Sequence, residues 1–398
     1  MTICRTSLRR LYKSQWVGYS SLRAATPVWR CNYSSDASSE TNIERIKSEM
    51  MAREPQISKD VMSPTNSNLL NLALADFIPE SCQPPAFQTS RMSDFSHSKS
   101  AIMVNAYKKL PYGHHLVYFP LHKSASQLQP DGTDPYHSPG DPFVRRMWAG
   151  GNVKFGDGFL LDSQPVVCVE RIENVSARGL EGQEKIFVDV LREYMSKSEF
   201  ESLSPGVSVS SKGMTERRTL VFMREVGEED IQANLARASR GRVVKAANVP
   251  DFSVKLTPTP TLLFHYSALT FNAHLIHLNP EYCRKVENHR NLLVHGPLTL
   301  TLMLSVLKSR LDQFEKVSSI DYRNLAPLYA NEPMNVCIRR VNNRNIQPDV
   351  KTRKWEVWVE GKDGGLSVKG TAETVYEEVR GRKRTLFSVP NMPIHKLI

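Results

Sequence analysis

Hydrophobic and polar positions change their rhythm several times along this chain, and each change predicts an element. Ser63-Pro64-Thr65-Asn66 offers helix caps ahead of Leu69, Leu70, Leu72 and Leu74, whose spacing is close to 3.6. The run Leu116 to Phe119, bounded by Pro111 and Pro120, predicts a buried strand. Residues 122–142 are rich in Pro, Gly, Asp and Ser and predict a long surface loop. Alternation predicts antiparallel strands over 159–172, 185–194 and 219–226, with 196–218 as an insertion. A strand over 261–266, a short helix from Asn279-Pro280 to Val286, and a helix over 298–311 follow. That last helix carries Leu298, Leu300, Leu302, Met303, Leu304, Val306 and Leu307, apolar nearly all round, so it must be buried on most sides. Strands over 322–328, 335–341, 354–361 and 366–379 complete the pattern, with a Gly-rich hairpin at 361–365.

The pattern divides the chain into an antiparallel unit over 59–226 and a second over 250–380, with linkers at 36–58 and 227–249 and a basic tail at 381–398. The 398 residues suffice for both cores. No apolar run approaches the ~18 residues of a membrane helix, so no membrane span is expected. Residues 1–35 hold Arg5, Arg9, Arg10, Lys13, Arg23 and Arg30 and no acid, the composition of a mitochondrial presequence and hence of a matrix protein. Removing these six lowers the formal charge from +11 to +5, a balance that still suits an anionic substrate carrier. No basic helix or stacking motif accompanies it, so no nucleic acid partner is expected. The six cysteines are scattered without a Cys-x-x-Cys pair, which indicates neither a zinc site nor a disulfide framework.

Candidate chemistry concentrates in 269–302. Asn272, His274 and His277 precede a His295-Gly296-Pro297 turn into the apolar helix. Proline fits a first helical turn, and glycine lets a ligand approach the free N–H groups there. Such a helix start favours a partly negative oxygen, and an imidazole beside it carries protons. Two histidines three apart equally suit a metal pair, and a histidine beside an apolar run equally suits a hydrogen-bonded core position. Trp148-Ala149-Gly150-Gly151 is either a place where backbone passes close to a ligand or a plain glycine turn.

The 269–302 stretch resembles the hydratase motif of the MaoC-like and R-specific enoyl-thioester hydratases. That family carries Asp-x-Asn-Pro-x-His, then a small apolar residue with His-Gly and a long central helix. Its histidine falls on His277 and its His-Gly on His295-Gly296, while its aspartate falls on Asn272 and its asparagine on His274. Met147 to Phe155 and Pro111 to Pro120 are similar to a two-part subgroup, the mesaconyl-thioester hydratases and fungal mitochondrial 3-hydroxyacyl-thioester dehydratases, in which Thr-Phe-Asn-x-His-x-x-His replaces the Asp form.

The resemblance covers roughly residues 56–380 and implies an α+β double hot-dog fold, two curved antiparallel sheets with the second wrapped around a central helix. It implies His277 and Asn272 as catalytic, with Gly296, His295 and His274 as oxyanion- or substrate-binding residues, His274 equally suiting an orienting or structural place beside His277, and Trp148, Gly150 and Gly151 at a substrate channel. The implied reaction is dehydration of an R-3-hydroxyacyl thioester of coenzyme A or acyl carrier protein, in mitochondrial type II fatty-acid synthesis. Hydration of a mesaconyl-type dicarboxylyl-CoA is the alternative, as is a non-catalytic thioester-binding or assembly protein. No metal or organic cofactor is implied, because the thioester already acidifies its alpha carbon. A homodimer is compatible with the resemblance.

Overall fold

The computed structural model describes residues 38–84, 109–203, 213–225, 244–341 and 352–376. The expected presequence, most of the 227–249 linker and the 381–398 tail lie outside them, as do Cys4 and Cys31. Cys82, Cys168, Cys283 and Cys337 are buried free thiols.

Among the described residues ten antiparallel strands form the sheet: β1 (Gln56–Val61), β2 (Arg145–Lys154), β3 (Pro165–Arg178), β4 (Lys185–Ser196), β5 (Met214–Met223), β6 (Phe252–Leu256), β7 (Glu315–Asn324), β8 (Met334–Arg340), β9 (Thr352–Glu360) and β10 (Leu366–Tyr376). Their order is β1-β3-β4-β5-β2-β7-β10-β9-β8-β6, one open sheet in place of the two expected. The reason is the β2–β7 pairing, in which Gly150 stands opposite Arg323 and Lys154 opposite Ser319. The strands on one side of this seam come from residues 56–223 and those on the other from 252–376.

Among the described residues six helices accompany the sheet: α1 (Ser38–Met51), α2 (Pro64–Leu74), α3 (Lys197–Ser202), α4 (Pro260–Leu269), α5 (Pro280–Lys285) and α6 (Gly296–Lys308). Helix α6 is buried on every side from Leu298 to Leu304 and packs against β2, β7, β8 and β9. Each fully buried leucine there contributes roughly 1.5–3 kcal/mol. Thr299 and Thr301 are tolerated in this environment because their hydroxyls donate to the His295 and Pro297 carbonyls, both at 3.1 Å. A separate core forms where Ile46 and Met50 of α1 meet Ile186, Val188 and Val190, the inward positions of β4.

Three local expectations are corrected. Residues 36–58 are not a linker throughout, since α1 and the start of β1 occupy most of them. The run at 111–121 forms a buried 3-10 turn, His114–Val117, between Gly113 (φ 84°) and Phe119 (φ 57°), whose left-handed backbone ends any extended run. The strand expected over 261–266 is helix α4, entered by a Thr259 side chain that accepts from Leu262 N with Pro260 in the first turn. The alternating positions of β4, β9 and β10 follow the predicted rhythm, shifted by a few residues at their ends.

Candidate active site

Helix α4 delivers the chain to the histidines. After Phe271, in the left-handed region at φ 49°, the Asn272 side-chain oxygen accepts from His274 N at 3.1 Å while its own N–H donates to Ser267 O at 2.8 Å. This turn opens the 3-10 segment Leu275–His277. Leu293 N donates to Ile276 O at 2.9 Å, and Val294 N to Leu328 O at 2.9 Å, so the 292–295 segment is held between the histidine turn and the 328–330 stretch. The result places His295 directly under His277, with ring centroids 3.6 Å apart and planes 21° from parallel.

Hydrogen bonds set the protons on these rings. His277 Nδ1 lies 2.8 Å from the Leu293 carbonyl, which can only accept, so Nδ1 carries the proton and Nε2 is left with its lone pair. Burial pushes the His277 imidazole down to about 4; the Leu293 bond opposes that shift and the nearby Arg146 guanidinium adds to it. The ring is therefore neutral at pH 7 and able to take a proton. His295 is fully buried, with Nε2 2.8 Å from Ser267 Oγ and the Tyr266 ring tilted against it at 5.1 Å. His274 stands edge-on to His277 at 5.6 Å.

A cavity of about 690 Å³ gathers Asn272, His274, His277, Gly296, Pro297 and Trp148 on its lining. His295 lies behind it as the residue that caps α6. The first N–H groups of a helix have no intrahelical acceptor, so the Gly296 end presents donors beside the His277 base. Trp148 closes over this end: a Cβ on Gly296 would stand 3.0 Å from Trp148 Cγ and from Asn324 Nδ2. Trp148 is itself held by Nε1 donating to Tyr322 Oη at 2.8 Å and by Arg218 over its ring at 5.1 Å.

The model of the family described as hydroxyacyl-thioester dehydratase type 2 matches residues 113–330, more than half of the chain. The chain belongs to this family. A Schizosaccharomyces pombe protein named hydroxyacyl-thioester dehydratase type 2, mitochondrial, is 30% identical over 249 residues, spanning 58% of this chain and 78% of the relative. The mesaconyl-C(4)-CoA hydratase of Chloroflexus aurantiacus is 27% identical over 270 residues, 66% of this chain and 83% of that one. Among solved structures, a MaoC-like dehydratase from Phytophthora capsici superposes with a TM-score of 0.51 at 13% identity, covering 83% of this chain and 98% of its own, a likeness of fold. The family makes the chain a hydratase/dehydratase of acyl thioesters, and its fold, a sheet curved around the helices, is like that of the MaoC-like dehydratase.

Within this family frame, His277, Asn272, His274, His295, Gly296 and Trp148 come together around the cavity, whereas Gly150 and Gly151 do not line it. Their glycine character answers to the sheet instead. A Cβ on Gly150 (φ 152°) would stand 2.3 Å from Tyr322 O, and one on Gly151 2.2 Å from Arg217 O. Arg145, Arg146 and Arg284 have no assignable place from sequence. Arg145 is spent on Glu287 at 2.8 Å, Arg284 is exposed, and Arg146 lines the cavity. Ser267 and Leu293, which hydrogen-bond His295 and His277, carry no sequence signal beyond ordinary polar or apolar character, and neither does Asp131, whose carboxylate lies 3.4 Å from His274 Nε2.

Proposed function

We propose that this member of the family is an R-specific 3-hydroxyacyl-thioester dehydratase, equally a 2-enoyl-thioester hydratase, serving a mitochondrial type II fatty-acid pathway. The observation that carries the reading is His277, whose Nδ1 is committed to Leu293 O while its Nε2 lone pair remains available in the cavity beside the start of α6. A thioester whose carbonyl oxygen sits on the Gly296 end would have its enolate charge stabilised there; one such donor is worth about 2.7–4 kcal/mol in acyl-transfer sites. His277 Nε2 takes the alpha proton and returns it to the departing hydroxyl as water leaves, and the reverse sequence hydrates the enoyl thioester. Asn272, its oxygen already accepting from His274 N, has an amide N–H₂ to offer that hydroxyl. The mitochondrial setting rests on the composition of residues 1–35 and on relatives so named.

A second reading is favoured by Arg146. Its guanidinium lines the cavity without a hydrogen-bond or ion-pair partner among the described residues, and burial lowers its affinity for the proton. A carboxylate on the substrate, as in a mesaconyl-type dicarboxylyl-CoA, would neutralise it. Loss of the enoyl-thioester absorbance of crotonyl-CoA, a medium-chain enoyl-CoA and mesaconyl-CoA, followed in parallel, tests both. Preference for the straight chains, abolished by His277→Ala, supports the first; preference for mesaconyl-CoA that Arg146→Met removes supports the second. No turnover of these or of acyl carrier protein thioesters would leave a thioester-binding protein.

A further inference from the structure

Asn272 can donate an amide N–H to the reacting oxygen but cannot exchange a proton at neutral pH, so the role left open is an acceptor for the water's own hydrogen. The loop before β2 supplies a candidate that the motif does not contain. Asp131 O accepts from Leu275 N at 2.9 Å, and a Cβ on Gly132 would fall 2.1 Å from Ala273 O, so the loop is pressed onto the histidine turn at a point only glycine allows. Thr133 donates twice to Asp131 Oδ1, from N at 2.9 Å and from Oγ1 at 2.7 Å. The other oxygen, Oδ2, is thereby aimed at His274 Nε2, 3.4 Å away. Both side chains are buried, Asp131 at 7% and His274 at 3% exposure, and Nε2 has no hydrogen-bond partner of its own among the described residues. His274 lines the cavity, whereas Asp131 sits behind it.

We propose that Asp131 is a positioning residue that fixes the proton of His274 on Nε2, so that the Nδ1 lone pair accepts a hydrogen bond from the reacting water or hydroxyl. Carboxylates that back an imidazole act in this way elsewhere, by choosing the tautomer. Burial, with Arg146 and His277 acting in the same direction, keeps the His274 ring neutral, so it serves as an acceptor and not as a charged acid. In hydration the water oxygen bonds to C3, one water proton passes to His277 Nε2 and the other stays on the new hydroxyl, hydrogen-bonded to His274 Nδ1. The C2 carbanion then takes the proton from His277, so water is added and both histidines return to their starting states. This rests on the hydratase reading above.

The test joins kinetics to a spectrum that does not depend on turnover. Asp131→Asn should lower kcat for enoyl-thioester hydration on the order of 10²–10⁴-fold, by analogy with the tautomer error in hydrolytic triads, with KM nearly unchanged. Asp131→Glu should recover part of that loss. Asp131→Asn added to His274→Ala should cost nothing more, because the carboxylate acts only through the ring. Near-wild-type kcat in Asp131→Asn, or losses that multiply in the double variant, overturns the proposal. Histidine-labelled nitrogen NMR of the full chain, with His274→Gln to assign the signal, should show the Nε2–H tautomer. An Nδ1–H tautomer in the wild type overturns the proposal even if the Asp131 variants fail to fold. The Nε2–H tautomer in a protein inert toward every thioester would sink the hydratase reading and leave the pairing standing.

Discussion

Acid should unfold this protein sooner than its carboxylates alone would, because several histidines are buried without charge. Burial lowers His115 and His277 to about 4 and His114 to about 3, from an unfolded value near 6.5. Such groups take up protons on unfolding, so their stabilisation is fully present above pH 6.5 and is lost as pH falls toward the folded pKa. Between pH 7 and pH 5 each removes roughly 2 kcal/mol, and the three together on the order of 5 kcal/mol. His274 and His295, also lowered by burial, act in the same sense. Burial alone would raise Glu170 and Glu216, but their cationic partners outweigh it and hold both below the ordinary carboxylate range. Their contribution is therefore lost only below about pH 4.5. A loss of this size rivals a whole domain's stability of about 5–15 kcal/mol. Urea unfolding followed by circular dichroism at pH 7, 6 and 5 should show the midpoint falling steadily, and His277→Gln should recover roughly 2 kcal/mol of the drop. A midpoint that does not move between pH 7 and pH 5 would refute the burial argument.

Three substitutions probe the site more directly. His277→Ala should cut enoyl-thioester hydration by at least about 10²–10⁴-fold with an unchanged circular dichroism spectrum, and full activity would end the proposed mechanism. Asn272→Ala should lose most turnover in the same absorbance assay, whereas near-wild-type rates would reduce that residue to packing. Gly296→Ala should cost about 1–3 kcal/mol by overpacking against a tethered Trp148 and also lower kcat, read by thermal melts and by rates at saturating thioester.

How far the sequence could be read depended on whether the deciding contact was local. Helix α6 was legible from its all-round apolar face, and the starts of α2 and α5 from Ser63 and Asn279, whose side chains accept from N–H groups two or three residues on. The strand expected over 261–266 went wrong although Thr259-Pro260 signals a helix start, because Leu-Leu-Phe suits either element. His114 and His115, two polar residues just ahead of the apolar run at 116–119, are buried, with His114 Nδ1 2.7 Å from Ser67 Oγ. The histidine motif accounts for five of the eight candidate residues around one cavity, since turn and helix start are neighbours along the chain, and Trp148 joins them from β2. Asp131 and Arg146 were beyond reach because their meeting with His274 depends on how a distant loop and a strand fold back over it. Gly150 and Gly151 show the opposite trap, a glycine pair that invites a ligand reading and answers to Tyr322 and Arg217 backbone.

The β2–β7 seam also bears on what happens if the chain is divided. A cut between residues 225 and 244 would give an N-terminal fragment that keeps Arg146 and Trp148 and a C-terminal one that keeps every histidine of the 272–296 stretch. Each fragment would also carry away a bare strand edge, β2 on one and β7 on the other. Unpaired edges of this kind are sticky, and either fragment made alone should aggregate. Made together, the two edges are complementary in register, so the fragments have a template for rejoining and for rebuilding a site that neither contains.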